Sequence, residues 1–350
     1  MIEQLLNKTT LAQLASISDE FAAAKPFKHV VIDGFFNASF CQSLLDQFPD
    51  FKNKDAIDEN LQKGRKAVVQ TVAKIGTSYK QLDDLVQSQT FLTVMEKITG
   101  IENLIYDPHY IGGGTHNNLD GQELDPHVDF THHPLTTHHR RLNVIVYLNH
   151  EWDISWGGNI EFHQNPRLSP DKDQITSILP LFNRAVIFET HNHSWHGFQP
   201  IQFPEHQKHL SRKSFALYYY TDKRQEAIAP HSTIYVERHL SDRFESGLQL
   251  GDEDVDQIKG LLHRRDQHLA RLYKTITAQT IEVSELKTQV LRLKTLGLNP
   301  SKQAKVLDRQ MELLTYDETR LLNRIQELEN STSWKVTAPI RKLKRWLSRR

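Results

Sequence analysis

The period of apolar residues changes along the chain and divides it into stretches of different character. In residues 1–24, Leu5, Leu6, Leu11 and Leu14 recur at helical spacing, predicting one amphipathic helix that stops at Ala22-Ala23-Ala24-Lys25-Pro26. A strand over His29–Ile32 and a helix over Ala38–Gln47, closed by Pro49, follow. Downstream, short β-rich runs dominate: Leu142–Leu148, Asn159–His163, Arg184–Glu189 and Ser214–Thr221, separated by Gly, Pro, Asn and Asp turns. That rhythm predicts a β-sandwich or jelly roll and not alternating βαβ units.

From Val255 the period becomes seven. Val255, Ile258, Leu262, Leu269, Leu272, Ile276, Val283, Leu286, Val290 and Leu293 share one a/d register, broken only at Arg265 and Gln279. Gly297-Leu298-Asn299-Pro300 ends that helix, and a second heptad run passes through Leu307, Met311, Leu314, Leu321, Ile325 and Leu328. Such a seam needs a partner, which is either the return helix of a hairpin or a second copy of the chain; homo-oligomerisation through the coil is the expectation. The domains expected are therefore 1–244, 252–330 and a tail, 331–350.

Composition adds limits. The 350 residues are 38% hydrophobic and 25% charged, with a formal net charge of +0. No run approaches the roughly 18 apolar residues of a membrane span. Met1–Leu6 lacks the basic and apolar regions of a secretory signal, and the lone Cys41 cannot form an internal disulfide, so a cytoplasmic location is expected. Neutrality argues against a nucleic-acid partner, yet it conceals segregation. Ser331–Arg350 holds seven Lys or Arg and no acid, which leaves the other 330 residues at −7. Val336, Ile340, Leu343 and Leu347, with Trp334 and Trp346, give this tail an apolar stripe suited to a membrane interface or to a protein partner.

Nineteen histidines must be sorted by context. His132, His133, His138 and His139 read as loop residues. In Pro126-His127-Val128-Asp129, a His-x-Asp spacing on an extended backbone places imidazole and carboxylate on one face. A further distant histidine would complete a two-His-one-carboxylate triad with open positions for Fe(II). His196, in Trp195-His196-Gly197-Phe198-Gln199-Pro200, is preferred over His191 and His193. Sixteen residues later, Arg212-Lys213-Ser214 opens a strand on which Arg212 and Ser214 share a face, a pairing suited to a small carboxylate.

These residues, with Arg141-Leu142-Asn143-Val144-Ile145-Val146-Tyr147-Leu148-Asn149, Trp152-Asp153 and Gly157-Gly158 between them, resemble in order and spacing the Fe(II)/2-oxoglutarate-dependent dioxygenases, in the prolyl 4-hydroxylase branch that includes the hypoxia-sensing prolyl hydroxylases. The resemblance is close over about residues 95–225. It implies an α+β fold: a double-stranded β-helix (jelly roll) with N-terminal supporting helices, here followed by a long helical coiled-coil extension. It implies His127, Asp129 and His196 as iron ligands and Arg212 as the anchor for the distal carboxylate of 2-oxoglutarate. Tyr147, Asn143, Ser214 and Tyr218 would line that pocket, although Tyr147 and Tyr218 also suit ordinary sheet packing. Fe(II) with 2-oxoglutarate and O2 as cosubstrates, and ascorbate as a reductant, follow from the same resemblance, as does hydroxylation rather than halogenation, since a halogenase of this fold lacks Asp129. Gly112–Leu124 and Thr131–Arg140 read either as mobile loops at the pocket mouth or as inert surface, and Trp152 and Trp156 as turn packing.

The tail segment Ser331-Thr332-Ser333-Trp334-Lys335-Val336-Thr337-Ala338-Pro339-Ile340-Arg341 resembles the ends of bacterial enzymes that build surface polysaccharides. It implies a glycan or protein acceptor and contact with a membrane-associated glycan-assembly complex at the inner face of the membrane. Two alternatives remain open at this level: peptidyl-prolyl 4-hydroxylation, or a catalytically vestigial jelly-roll scaffold that organises partners through its coil.

Overall fold

The computed structural model describes residues 2–52, 56, 66–169, 171–226, 228–236, 240, 244–295 and 302–330. Its helices are α1 (Ile2–Leu5), α2 (Lys8–Ala12), α3 (Leu14–Ala23), α4 (Ala38–Asp46), α5 (Thr77–Val86), α6 (Gln89–Thr99), α7 (Asp252–Thr295) and α8 (Lys302–Asn330). Strands β1 (His29–Asp33), β2 (Lys66–Val69), β3 (Ile105–Tyr106), β4 (Gly114–Asn118), β5 (Leu124–Val128) and β6 (His139–Tyr147) form the first half of the sheet region. The second half is β7 (Ile160–His163), β8 (Ile175–Ile178), β9 (Arg184–Glu189), β10 (Trp195–Phe198), β11 (Arg212–Thr221) and β12 (Ile234–Tyr235). The chain divides into two compact units, Met1–Ser241 and Asp242–Arg350.

In the first unit the strands make two antiparallel sheets. One runs β1-β9-β6-β11-β4-β2, with β3 on β11, and the other β12-β5-β10-β7-β8. Alternation sorts the side chains of the larger sheet. Leu142, Val144 and Val146 of β6, Ala185 and Ile187 of β9, and Phe215, Leu217 and Tyr219 of β11 pack on the helices, chiefly Phe91, Val94, Met95 and Ile98 of α6 and Leu82 and Leu85 of α5. The intervening Tyr147, Val186 and Phe188 meet Ile160, Phe162 and Ile178 of the smaller sheet. The antiparallel sheets and flanking helices fit the expected jelly roll. The supporting helix α6 has local signals at both ends: the Ser88 hydroxyl accepts from the Phe91 N–H, and Gly100 closes it in the left-handed region with φ 69°.

The single N-terminal helix expected from periodicity is instead three pieces. The Asn7 N–H donates to the Phe35 carbonyl, Leu6 bridges Phe36, and the Asn7 side chain caps α2 through the Thr9 N–H at 2.9 Å. Pairing with the turn after β1 therefore interrupts a pattern that is helical on both sides.

In the second unit α7 and α8 pack on each other, with Leu269 against Ile325 and with Leu272 and Ile276 beside them. Leu269, Val283, Leu286 and Val290 are all buried. The expected break at Gly297–Pro300 and the tail 331–350 lie outside the described residues. Ile325→Ala should destabilise this unit by about 2–4 kcal/mol, read as earlier loss of helical circular dichroism in urea with the near-ultraviolet signal of the sheet unit unchanged. An unaltered helical transition would mean that the pairing does not depend on this contact.

Candidate metal centre

Strand β5 ends in His127 and Val128, with Asp129 following, and β10 lies antiparallel to it with His196 directly opposite His127. The two imidazole rings consequently face each other with centroids 4.2 Å apart. Glycine at 197 permits the close crossing, because a Cβ there would lie 2.6 Å from the Leu124 carbonyl oxygen and 2.9 Å from the Pro126 nitrogen. Asp129 completes the group, with Oδ1 3.8 Å from His127 Nε2 and Oδ2 3.6 Å from His196 Nε2. Among the described residues this is the one His/Cys/Asp/Glu group able to hold a metal ion, its donor atoms all within 4.8 Å of one another.

Tautomers follow from the backbone. His127 Nδ1 lies 3.0 Å from the Asp125 carbonyl and His196 Nδ1 2.9 Å from the Ser194 carbonyl. A carbonyl only accepts, so each Nδ1 carries the proton and each Nε2 turns a lone pair inward. Burial, followed by repulsion from His196, pushes the His127 pKa down to about 3, and burial also lowers that of His196. For Asp129 burial acts upward as the largest single effect, but Arg140, His196, His127 and the Asn143 hydrogen bond together hold the carboxyl below its ordinary range. Two neutral imidazoles and one carboxylate suit Fe(II).

Arg212 lies on the inner face of β11. Its Nε donates to the Gly158 carbonyl at 2.6 Å and its Nη2 to the Tyr147 hydroxyl at 3.1 Å, while the guanidinium lies over the Phe198 and Tyr147 rings. Three of its five N–H groups make no hydrogen bond to the described residues. Gly158 allows this approach: its φ is 68°, and a Cβ would meet Trp152 at 2.7 Å and Arg212 Cδ at 3.4 Å. Trp152 itself donates from Nε1 to the Gly157 carbonyl, so it packs the turn as expected. Ser214 is buried and sits opposite Tyr147 in the β11–β6 register.

Two of the expected pocket residues have other work. Asn143 Nδ2 donates to Asp129 Oδ2 at 2.8 Å and so supports the metal group. The Tyr218 hydroxyl donates to the Gly112 carbonyl at 2.9 Å, and its ring carries the Arg140 guanidinium at 3.6 Å. Both loop readings change as well. Gly114–Asn118 is β4, paired on both sides by β11 and β2, and therefore no lid. The turn before it is tied to the His-rich loop, since the buried His133 Nε2 meets Asp107 Oδ1 at 3.2 Å and Asp107 also accepts from the His109 and Ile111 N–H groups. His132 and His139 face each other, and His191 meets Glu189 at 3.3 Å; none of the three belongs to the metal group.

Three residues near the centre went unread in the sequence. Arg140 lies 3.1 Å from Asp129 Oδ2. His116 pairs with Ser214 across β4–β11, and burial, with Lys66 and Arg212 adding, lowers its pKa well below the ordinary value. Tyr235 of β12 stacks on His127 with centroids 5.1 Å apart. Nothing in local spacing announces the last, which arrives from beyond the jelly-roll strands through the β12–β5 pairing.

Residues 113–220 match the family model described as the 2OG-Fe(II) oxygenase superfamily. No curated protein matches the chain. Among solved structures, a prolyl hydroxylase in complex with a hypoxia inducible factor oxygen degradation domain peptide fragment, from Trichoplax adhaerens, is similar at 17% identity and TM-score 0.43, over 62% of this chain and 94% of that one. A prolyl 4-hydroxylase from Phytophthora capsici is similar at 18% identity and TM-score 0.40, over 89% and 93%. One from Pseudomonas putida is similar at 15% and 0.39, over 60% and 99%.

Acid should destabilise the fold through this site. With His127 at about 3 when folded and near 6.5 when unfolded, the unfolded chain holds the extra proton between those values, so stability falls as pH falls through that window. The loss approaches about 1.4 kcal/mol per pH unit for such a histidine. With chelator present, the Tm should drop from pH 7 to pH 5, less steeply in His127→Gln. A Tm that is flat or rises on acidification would contradict the buried neutral pair.

Proposed function

We propose, on the premise that residues 113–220 belong to the 2OG-Fe(II) oxygenase superfamily, that this dioxygenase hydroxylates an unactivated carbon and that His127, Asp129 and His196 hold its iron. The observation that carries the proposal is the His-Asp-His group of the smaller sheet together with a buried Arg212–Tyr147 pair of the larger sheet, whose guanidinium lies over Phe198 of β10. Bound Fe(II) supplies O2 activation, coupling oxidative decarboxylation of 2-oxoglutarate to succinate and CO2 with insertion of one oxygen atom into a C–H bond.

The chain's own residues do the positioning. Arg212 offers its remaining N–H donors to the distal carboxylate of 2-oxoglutarate. Tyr147 accepts from Arg212, which leaves its own O–H to donate to that carboxylate. Because the Gly158 carbonyl and two aromatic rings hold the guanidinium, this recognition is prepared before binding. Phe198, Tyr147 and Tyr235 wall the site and limit the entry of water.

The acceptor we favour is a glycan, or a protein of a surface-polysaccharide assembly complex, and the support is the tail motif at Ser331–Arg341. Homo-oligomerisation through the heptads and peripheral contact of Ser331–Arg350 with the inner face of the membrane belong to the same reading. No helix among the described residues is long and apolar enough to cross a membrane. Peptidyl-prolyl 4-hydroxylation is the second reading, favoured by the ordered motifs from His127 to Arg212.

Purified enzyme with Fe(II), ascorbate and 2-oxoglutarate should release succinate without added acceptor. Asp129→Ala should reduce release at least 100-fold. Arg212→Gln should raise the KM for 2-oxoglutarate at least tenfold with metal affinity unchanged. Wild-type enzyme without succinate release, or Asp129→Ala with full release, would overturn the assignment and favour a vestigial scaffold. Deleting residues 331–350 should preserve succinate release and move the protein from the membrane fraction to the soluble one; unchanged fractionation would refute the tether.

A further inference from the structure

Strict alternation along β6, counted back from Tyr147 and Asn143, would turn Arg141 inward and Arg140 outward. The structure does the reverse. The β11 register moves from Tyr219 opposite Leu142 to Tyr220 opposite Arg140, so Arg141 is the extra residue of a β-bulge. Arg141 turns away, to Glu189 at 3.0 Å and Thr221 at 3.4 Å. Arg140 turns in and is 1% exposed.

There it is held on every side. Its Nε and Nη2 fork onto Asn143 Oδ1 at 3.1 and 2.9 Å, and Nη2 also lies 3.1 Å from Asp129 Oδ2. The guanidinium plane rests on the Tyr218 ring at 3.6 Å, and the Phe130 ring lies at 4.5 Å. Since Asn143 Oδ1 is taken by two N–H donors, the amide has one orientation, and its Nδ2 must point at Asp129 Oδ2. Asp129 Oδ2 is thus engaged by a guanidinium and an amide, whereas Oδ1 accepts no hydrogen bond from the described residues.

We propose that Arg140 and Asn143 are a positioning pair that confines Asp129 to one metal-facing oxygen, Oδ1, and so keeps three coordination positions free for a chelating 2-oxo acid and O2. The inference rests on the iron assignment above and goes beyond it. An oxygen that already accepts the Asn143 amide N–H and is ion-paired with the Arg140 guanidinium is a poorer metal ligand than its partner oxygen. Were both oxygens to chelate, two histidines and a bidentate carboxylate would fill four of six octahedral positions. A 2-oxo acid would then take the last two and exclude O2, or would bind through one atom only. The pair therefore acts through Asp129.

The test separates metal binding from cosubstrate binding. Wild type, Asn143→Leu and Arg140→Lys are loaded with Co(II), whose d–d absorption reports coordination, and the Co(II) and 2-oxoglutarate affinities are measured by calorimetry, with circular dichroism as a check of folding. Asn143→Leu should hold Co(II) within threefold of wild type, or more tightly, change the d–d spectrum before any cosubstrate is added, and bind 2-oxoglutarate at least tenfold more weakly. Arg140→Lys, which keeps the charge but loses the fork, should shift both readouts in the same directions by less. If both affinities fall by the same factor in each folded variant, or if neither affinity nor the spectrum changes, the proposal is overturned. Failure of Co(II)-loaded wild type to bind 2-oxoglutarate would instead overturn the iron and cosubstrate assignment.

Discussion

The antiparallel contact between β5 and β10 is the constraint on which the rest of the site depends. It sets His127 opposite His196, and the backbone carbonyls two residues before each histidine fix both rings in the same tautomer. Neither feature is a property of an isolated imidazole. Glycine at 197 lets the strands approach closely enough, and Phe162 of β7, paired with His196, supports β10 from its other edge. The metal group is therefore built by sheet pairing, with stability and chemistry resting on the same strands.

The larger sheet contributes two buried guanidiniums with different tasks. Arg212 is fixed by a carbonyl and a tyrosine, and its other N–H groups make no hydrogen bond among the described residues. Arg140 is fixed by Asn143 and Asp129 and by aromatic rings, and its work is internal to the site. A buried charge without compensation is costly. Arg140 is compensated by the Asp129 carboxylate, and Arg212 by hydrogen bonds to the Gly158 carbonyl and Tyr147 hydroxyl and by two aromatic rings.

The site was legible in the sequence where spacing alone determines which way a side chain points. His127 and Asp129 are two apart on an extended segment, Arg212 and Ser214 two apart on another, and Tyr147 and Asn143 four apart on a third; alternation puts each pair on one face, and the structure agrees. What could not be read depends on breaks in that period or on distant pairing. Arg140 faces inward only because Arg141 is bulged, and Tyr235 reaches His127 only because β12 joins the edge of the smaller sheet. Alternation puts Tyr218 on the Arg212 face, yet its hydroxyl is claimed by the Gly112 carbonyl, a contact 106 residues away in sequence. The N-terminal periodicity predicts one helix where there are three for a similar reason, because pairing of residues 6–7 with the turn after β1 overrides local periodicity. The heptads of α7 and α8 were legible as helices, but a seam buried within one chain and one buried between copies have the same period.

The proposed function builds on three elements: a His-Asp-His group oriented by strand pairing, a buried guanidinium held by a carbonyl and a tyrosine, and the aromatic rings over which it lies. Its central claim is that the group supports coupled splitting of O2 and 2-oxoglutarate. The most direct measurement is incubation of the Fe(II)-loaded enzyme with 2-oxoglutarate under 18O2, followed by mass spectrometry of the succinate formed. One 18O atom in the newly formed succinate carboxylate is the predicted result. Succinate without 18O, or no succinate beyond that of a metal-free control, would contradict the account.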